Sequence, residues 1–153
     1  MEGPQQLPFA KGILFDLDGT LLDFEGAAQL CLNSALTSTV HSLLKTTSPV
    51  SWQMHASIIG QKGTLWSETI LNLLQVPATV LTPAQYVENW HADLEQHYPA
   101  MELMPGALEL VKTFKAQGKK LAIATSSERS GMIMKMSHHR ALLDLMDAVV
   151  TGD

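Results

Sequence analysis

The sequence predicts an α/β fold, a partial Rossmann-like parallel sheet with an inserted α-helical cap. Three short apolar runs, 11–16, 119–124 and 147–151, have the length and composition of buried strands. The two later runs alternate with helical segments, and strands that alternate with helices form parallel sheets covered on both faces. Between the first two runs lie about eighty residues with helical patterns and no strand-like run. We therefore expect core segments at 1–23 and 104–153, with later core strands absent, and a helical cap at 24–103.

The cap segment divides into helices at recognisable start and stop signals. The run 24–45 is rich in Ala and Leu, and Pro49 ends the helical pattern. Ser51 is expected to cap a helix that Gly60 ends, and 64–76 forms the next. The start of the last cap helix is marked most clearly, because Thr82-Pro83-Ala84-Gln85 combines a capping hydroxyl, a first-turn proline and a capping-box glutamine.

The second half of the core is expected to alternate helix and strand. The segment 107–117 predicts a helix with Gly118 as its stop, and the strand 119–124 follows. Ser126 or Ser127 is expected to open a helix that runs to about His138. A short helix or turn at 141–146 then leads into the third strand.

Composition excludes several classes of function. The chain has 153 residues, ten Lys or Arg against fifteen Asp or Glu, and a formal net charge of −5. A nucleic-acid or anionic-membrane binder would carry a basic patch instead. No apolar run approaches a membrane span, and no signal peptide is visible, so a cytoplasmic location is expected. The single cysteine, Cys31, excludes an internal disulfide and is expected to be a small buried hydrophobe.

Asp16 and Asp18 follow the first predicted strand and point to phosphoryl transfer. Residues two apart project to the same side of an extended chain, and two carboxylates so placed repel one another unless a cation or a shared proton offsets them. Carboxylate oxygens favour Mg²⁺, and Gly19 permits a turn that exposes amide groups to an anion. One carboxylate would attack as the nucleophile while the other acts as general acid and then base. An ordinary turn with two solvated acids is the alternative.

Thr125, Ser126 and Ser127 follow the second predicted strand. A hydroxyl beside helix N-terminal amides makes an anion site, although an ordinary helix cap has the same composition. Ligand sites in parallel sheets lie at the carboxyl ends of the strands. The segment 16–20 (the acid loop) and the segment 125–127 (the Thr-Ser loop) are therefore expected to face one crevice.

Taken together, these loops resemble those of the haloacid dehalogenase-like hydrolase superfamily, in the branch with a helical cap. The first motif of that family is matched by I-L-F-D-L-D-G-T-L-L-D at 13–23, and the second by L-A-I-A-T-S-S at 121–127. The segment 24–103 has the length of its cap, and Met104-Pro105-Gly106 stands where the branch carries a Pro-Gly pair. Within the branch, the chain is most similar to pseudouridine-5′-phosphatase-type and β-phosphoglucomutase-type enzymes.

The resemblance implies a Mg²⁺-dependent phosphatase that acts on a small phosphorylated metabolite, such as a nucleotide- or sugar-type monophosphate. It makes Asp16 the nucleophile and a Mg²⁺ ligand, and Asp18 the acid/base and a ligand through its main-chain carbonyl. Gly19, Thr20, Thr125 and Ser126 would bind phosphate. Asp18 argues against dehalogenation, because halide leaves without a proton. In the cap loop, Lys62 is a candidate substrate contact or a solvated lysine.

Two further motifs of the family have no counterpart in the sequence. These are a Lys or Arg that neutralises the aspartates, and an acidic set that completes the metal site. Neither Lys119 nor Lys135 is assigned to them. We therefore expect an incomplete chain, with its first strand left as an exposed edge. The alternatives are a sugar phosphomutase or an inactive binding protein. A phospho-acceptor receiver domain also carries an Asp at a strand end, but the helical insert of about eighty residues between the first two strands argues against it.

Overall fold

The computed structural model describes residues 10–61 and 63–153. The chain divides into two compact units. One, the sheet unit, joins the start of the chain through Asp23 to Pro99–Asp153, and the other, the helical unit, is Phe24–Tyr98. The predicted domain bounds of 24 and 103 stay a prediction.

The sheet unit is built on three parallel strands. These strands are β1 (Gly12–Phe15), β2 (Lys120–Ala124) and β3 (Ala148–Val150), in the order β1-β2-β3. Phe15 pairs with Ile123, and Ala124 pairs with Val150. Because the strands are parallel and in this register, all three carboxyl ends lie at one edge of the sheet, which confirms the predicted α/β class.

The strands are less buried than their apolar sequences predict. Phe15 and Ile123 are buried, but Leu14 is 75% exposed and Val150 is 61% exposed. Within the described residues, β1 pairs with β2 alone and forms one edge of the sheet. The expectation of three buried strands and a sheet covered on both faces is therefore wrong for this structure, because burial requires layers on both sides of each strand.

The helical unit contains five α-helices within its described residues. They are α1 (Phe24–Ser34), α2 (Ser38–Leu44), α3 (Trp52–Ile58), α4 (Leu65–Leu73) and α5 (Pro83–His97). Aromatic side chains of α5 hydrogen-bond to backbone carbonyls of α1. The Tyr86 hydroxyl donates to the Leu32 carbonyl at 2.5 Å, and the Trp90 indole donates to the Ala28 carbonyl at 3.1 Å. Aromatic residues of α5 thus fix α1 through polar atoms as well as apolar contact.

The caps of these helices largely follow the sequence. Ser51 caps α3 through Met54 N, and Thr82 forms the predicted capping box with Gln85. The single helix expected over 24–45 is instead two helices. The reason is local, since the Thr37 side chain accepts from Val40 N and starts α2 afresh.

Three α-helices and a short 3₁₀ helix complete the described chain. The 3₁₀ helix is Tyr98–Ala100, and the others are α6 (Ala107–Ala116), α7 (Arg129–Lys135) and α8 (Arg140–Leu143). Within the sheet unit, Asp23 N donates to Glu102 O at 2.8 Å and Met104 N donates to Leu21 O at 2.9 Å. The chain therefore returns alongside the acid loop before α6 begins. No helix in the described part of the chain is long and apolar enough to cross a membrane.

Candidate active site

The acid loop and the Thr-Ser loop contact each other at the carboxyl edge of the sheet. Asp16 is the first residue after β1 and is exposed, whereas Asp18 is half-buried. The Ser127 hydroxyl donates to Asp18 Oδ2 at 2.7 Å. This hydrogen bond links the segment after β1 to the segment after β2, so residues 109 positions apart in the chain share one site.

The backbone of the acid loop is held by hydrogen bonds between its own amides and carbonyls. Gly19 has a φ of 74°, a left-handed conformation that favours glycine. Gly19 N donates to Leu22 O at 2.9 Å, and Thr20 N donates to Leu17 O at 3.3 Å. The amides that the sequence offered to an anion are therefore already used within the turn. Phosphate binding by Gly19 and Thr20 stays a prediction, and Thr20 would contribute its hydroxyl rather than its amide.

The Thr-Ser loop is a turn and not the first turn of a helix. Thr125 is buried, its amide donates to Val150 O, and its Oγ1 accepts from Ser127 N at 3.1 Å. Because this side chain holds the amide in a turn, α7 begins only at Arg129, after Glu128 as N-cap. The expectation that Ser126 or Ser127 opens the helix is wrong. Ser126 is exposed beside the turn, and its role in phosphate binding stays a prediction.

Sequence reasoning left out one residue of this site, Lys135. Its Nζ lies 2.7 Å from Asp18 Oδ2 and 2.9 Å from Oδ1, and its side chain is only 3% exposed. The signal for it is a lysine between Met132 and Met136, both buried methionines at one end of α7. A buried lysine requires a partner, but nothing in the sequence identifies that partner as Asp18.

The helical unit has a cavity of its own. It has a volume of about 430 Å³ and includes both apolar and polar side chains. Its lining residues are Phe24, Glu25, Ala28, Leu32, His55, Ile58, Ile59, Gly60, Gln61, Gly63, Thr64, Trp66, Val87, Trp90 and His91. The predicted substrate contact Lys62 lies outside the described residues.

A buried histidine stands at the wall of this cavity. His55 Nε2 lies 3.0 Å from a Glu25 carboxylate oxygen, and the imidazole is 6% exposed. Its Nδ1 finds no hydrogen-bond partner among the described residues. Burial lowers the pKa of His55 from its ordinary value, so the ring is neutral at pH 7 and its Nε2–H donates to Glu25.

Cys31 is buried, as its sequence context predicts. One ligand atom from each of Cys31, Asp93 and His97 lies within 4.8 Å of the others. Burial and the Asp93 carboxylate raise the pKa of the Cys31 thiol to about 12. The thiol is therefore protonated and donates to Asp93, which also accepts from the Ser34 hydroxyl.

A family model for haloacid dehalogenase-like hydrolases matches residues 13–153 of the sequence. The chain belongs to the haloacid dehalogenase-like hydrolase family. The match includes both loops of the site and the whole helical unit. It confirms the resemblance that the two motifs indicate.

Two relatives of the chain are named as phosphatases. The chain is 29% identical to a probable pseudouridine-5′-phosphatase of Saccharomyces cerevisiae over 94% of this chain and 57% of that protein. It is 26% identical to the mitochondrial (DL)-glycerol-3-phosphatase 1 of Arabidopsis thaliana over 92% of this chain and 45% of that protein. The chain thus spans about half the length of the curated relatives it matches.

Solved structures share the fold. A Haemophilus somnus protein, named a predicted phosphoglycolate phosphatase, superposes with a TM-score of 0.66 at 22% identity. The superposition covers 94% of this chain and 63% of that one. At this identity the likeness shows the Rossmann-like fold alone.

The donor atoms at this edge fit Mg²⁺ in part. The exposed Asp16 carboxylate is a hard oxygen ligand of the kind Mg²⁺ takes. Both carboxylate oxygens of Asp18 accept from Lys135, so its main-chain carbonyl is the atom it can offer a metal. In 10–61 and 63–153, Asp16 and Asp18 belong to no group of three side-chain ligands.

Proposed function

We propose that this chain carries the nucleophile and acid/base of a Mg²⁺-dependent phosphomonoesterase. The substrate is a small phosphorylated metabolite, and nucleotide- or sugar-type monophosphates are the preferred class. The names of the Saccharomyces and Arabidopsis relatives support this class, since both describe hydrolysis of small phosphomonoesters.

One observation carries the proposal, namely the hydrogen bond between Ser127 and Asp18. It joins the loop with the paired carboxylates to the loop with the buried Thr125 hydroxyl. A phosphoryl group needs both a nucleophile and hydrogen-bond donors around its oxygens. The carboxylates and hydroxyls that could supply them share one edge of the sheet.

The reaction would proceed in two displacements. An Asp16 carboxylate oxygen attacks phosphorus, the bond from phosphorus to the substrate oxygen breaks, and that oxygen takes a proton from Asp18. A water molecule then attacks the aspartyl-phosphate and gives a proton to Asp18. Phosphate leaves, and the Asp16 carboxylate and the Asp18 acid are restored.

Mg²⁺ would be held by the Asp16 carboxylate and the Asp18 main-chain carbonyl. When bound, it would offset the charge of the phosphoryl oxygens. Thr125 and the amide of the exposed residue Ser126 would orient those oxygens. Lys62 remains a candidate for contacting the rest of the substrate.

The test is phosphate release from pseudouridine 5′-phosphate, glycerol 3-phosphate and a sugar phosphate, with Mg²⁺ and with EDTA. The expected result is release that requires Mg²⁺ and disappears in Asp16→Asn. Asp144→Asn serves as the matched control, because Asp144 is exposed at the end of α8. Acid quenching during turnover should also leave one phosphoryl group on the wild-type chain and none on Asp16→Asn.

Other outcomes point to other functions. An isomerised sugar phosphate with no phosphate release would identify a phosphomutase that uses the same aspartyl-phosphate. Activity that survives Asp16→Asn would overturn the proposal.

A further inference from the structure

Lys135 is a buried cation beside the proposed acid/base. It is the last residue of α7, and its side chain is 3% exposed, whereas the Asp18 side chain is 22% exposed. A buried ammonium loses its hydration and persists only with close partners. Its partners include both carboxylate oxygens of Asp18 and, at 2.9 Å, the Ser127 hydroxyl.

These three side chains hydrogen-bond to one another. Lys135 Nζ donates to Asp18, and Ser127 Oγ lies 2.7 Å from Asp18 Oδ2. Ser127 has one hydroxyl hydrogen, which goes to Asp18, so it accepts from Lys135. Asp18 is therefore held at both carboxylate oxygens by groups that lie beyond β2.

This arrangement restrains the carboxylate. An aspartate on a loop can rotate about its side-chain bonds, whereas one with charge-assisted bonds to both oxygens keeps one orientation. A proton donor works only when it lies within hydrogen-bond reach of the leaving oxygen, and small displacements cost much of the rate. The ammonium also places a positive charge directly against the Asp18 carboxylate.

We infer that Lys135 is a positioning residue for Asp18, and that with Ser127 it fixes the orientation of the Asp18 carboxyl group, which gives its proton to the leaving group when protonated and takes one from water when ionised. The inference rests on the proposed function. Lys135 acts through Asp18, and the donor–acceptor set is specific to that aspartate. This role differs from charge neutralisation at the Asp16 nucleophile.

The test exploits the leaving group of the substrate. An alkyl phosphate such as glycerol 3-phosphate releases a poor leaving group that requires the Asp18 proton. p-Nitrophenyl phosphate releases a stable phenolate that departs without one. Single-turnover release of glycerol or p-nitrophenol, with the protein in excess, reports the first displacement alone for each substrate.

The variants are Lys135→Met, Ser127→Ala and the control Lys112→Met. Lys112 is an exposed lysine of α6 that pairs with Glu109. Because positioned general acids contribute about 10²–10⁴-fold, Lys135→Met should slow glycerol release at least about tenfold more than p-nitrophenol release. Ser127→Ala should show the same selectivity, and Lys112→Met should change neither rate.

The outcomes separate this inference from the proposed function. Equal losses of rate on the two substrates would show that Lys135 has a structural role alone. Unchanged rates would show that its contact with Asp18 does not affect the reaction. Either result overturns the inference and leaves the phosphatase proposal standing. If the wild type releases neither leaving group, the proposed function fails and the inference falls with it. Urea unfolding of each variant checks the fold, and if Lys135→Met does not fold, Ser127→Ala decides.

Discussion

Gly152 lies directly against the backbone of Ser126. A β-carbon at Gly152 would come within 2.3 Å of the Ser126 carbonyl oxygen and 2.9 Å of its carbonyl carbon. Gly152 N also donates to Ser127 O at 2.9 Å. The segment after β3 therefore supports the Thr-Ser loop through a contact that has no room for a side chain.

Gly152→Ala should displace this loop. Because the clash is with backbone, the chain must shift, and overpacking of this kind costs about 1–3 kcal/mol. We expect a lower urea midpoint together with a loss of phosphate release, since the Thr125–Ser127 turn would move.

Gly118→Ala is the matched control for that variant. Gly118 has a φ of 72°, but a β-carbon there meets nothing within 4 Å. It should lower the urea midpoint through backbone strain alone and leave the turn intact. Equal effects of both variants on phosphate release would contradict the supporting role of Gly152.

Thr125 offers a second test of the same turn. Its hydroxyl accepts from Ser127 N, and its side chain is buried. Thr125→Val keeps the shape but removes the acceptor, so it should cost about 1–3 kcal/mol of unfolding free energy and most of the phosphate release. Thr125→Ser keeps the hydroxyl and should retain activity. If Thr125→Val is as active as the wild type, the hydroxyl does not contact the phosphoryl group.

Asp147 should make the stability of the sheet unit depend on acidic pH. Its carboxylate accepts from Lys115 Nζ at 2.8 Å, Leu121 N at 2.9 Å and Lys120 Nζ at 3.2 Å. These bonds hold the pKa of Asp147 well below its usual 3.8. The pKa of Asp147 is lower in the folded chain than in the unfolded chain. Its bonds therefore contribute fully to the free energy of unfolding above pH 3.8, and this contribution is lost as the pH falls below that value. Urea unfolding should show that Asp147→Asn is destabilising at pH 7 and that the difference shrinks at pH 3, in contrast to Asp144→Asn.

His55 should add a second pH dependence in a different range. Burial lowers its pKa from 6.5, and this effect outweighs Glu25, whose side chain is 30% exposed and screened by water. As the pH falls below 6.5, the unfolded chain takes up the proton first, so stability drops by about 1.4 kcal/mol per pH unit until the folded pKa is reached.

The measurement is urea unfolding of the wild type and His55→Gln between pH 5 and 8. The wild type should lose free energy of unfolding as the pH falls below 6.5, and this pH dependence should be weaker in His55→Gln. His91→Gln, at an exposed position of α5, should keep the wild-type slope. A wild-type slope that survives in His55→Gln would place the responsible group elsewhere.

Local signals predicted most of the fold, because they act within a few residues. The Thr82–Gln85 capping box and the Ser51 cap formed as expected, since each needs only its own turn of helix. The burial of the strands was predicted less well from the sequence. Leu14 is apolar yet exposed, because burial depends on layers that a strand sequence cannot specify.

The sequence predicted which residue types form the candidate site, but not the hydrogen bonds between them. Asp18 and Ser127 could be placed at neighbouring strand ends from the pattern alone. The hydrogen bonds among Asp18, Ser127 and Lys135 depend on where α7 ends, and the Thr125 side chain delays the start of that helix. A shift of one or two residues in a helix boundary redirects every side chain on it, so Lys135 could not be assigned from sequence.

The reactivity of Cys31 can be used to measure local unfolding of the helical unit. It is the single thiol of the chain, it is buried on α1, and its raised pKa leaves almost no reactive thiolate. Because Cys31 is buried and hydrogen-bonded to Asp93 of α5, an alkylating reagent reaches it when the packing between α1 and α5 opens. The rate at which Cys31 is alkylated therefore counts such openings in the unmodified protein. Any substrate that tightens the packing of these helices would register as slower labelling, with no engineered probe.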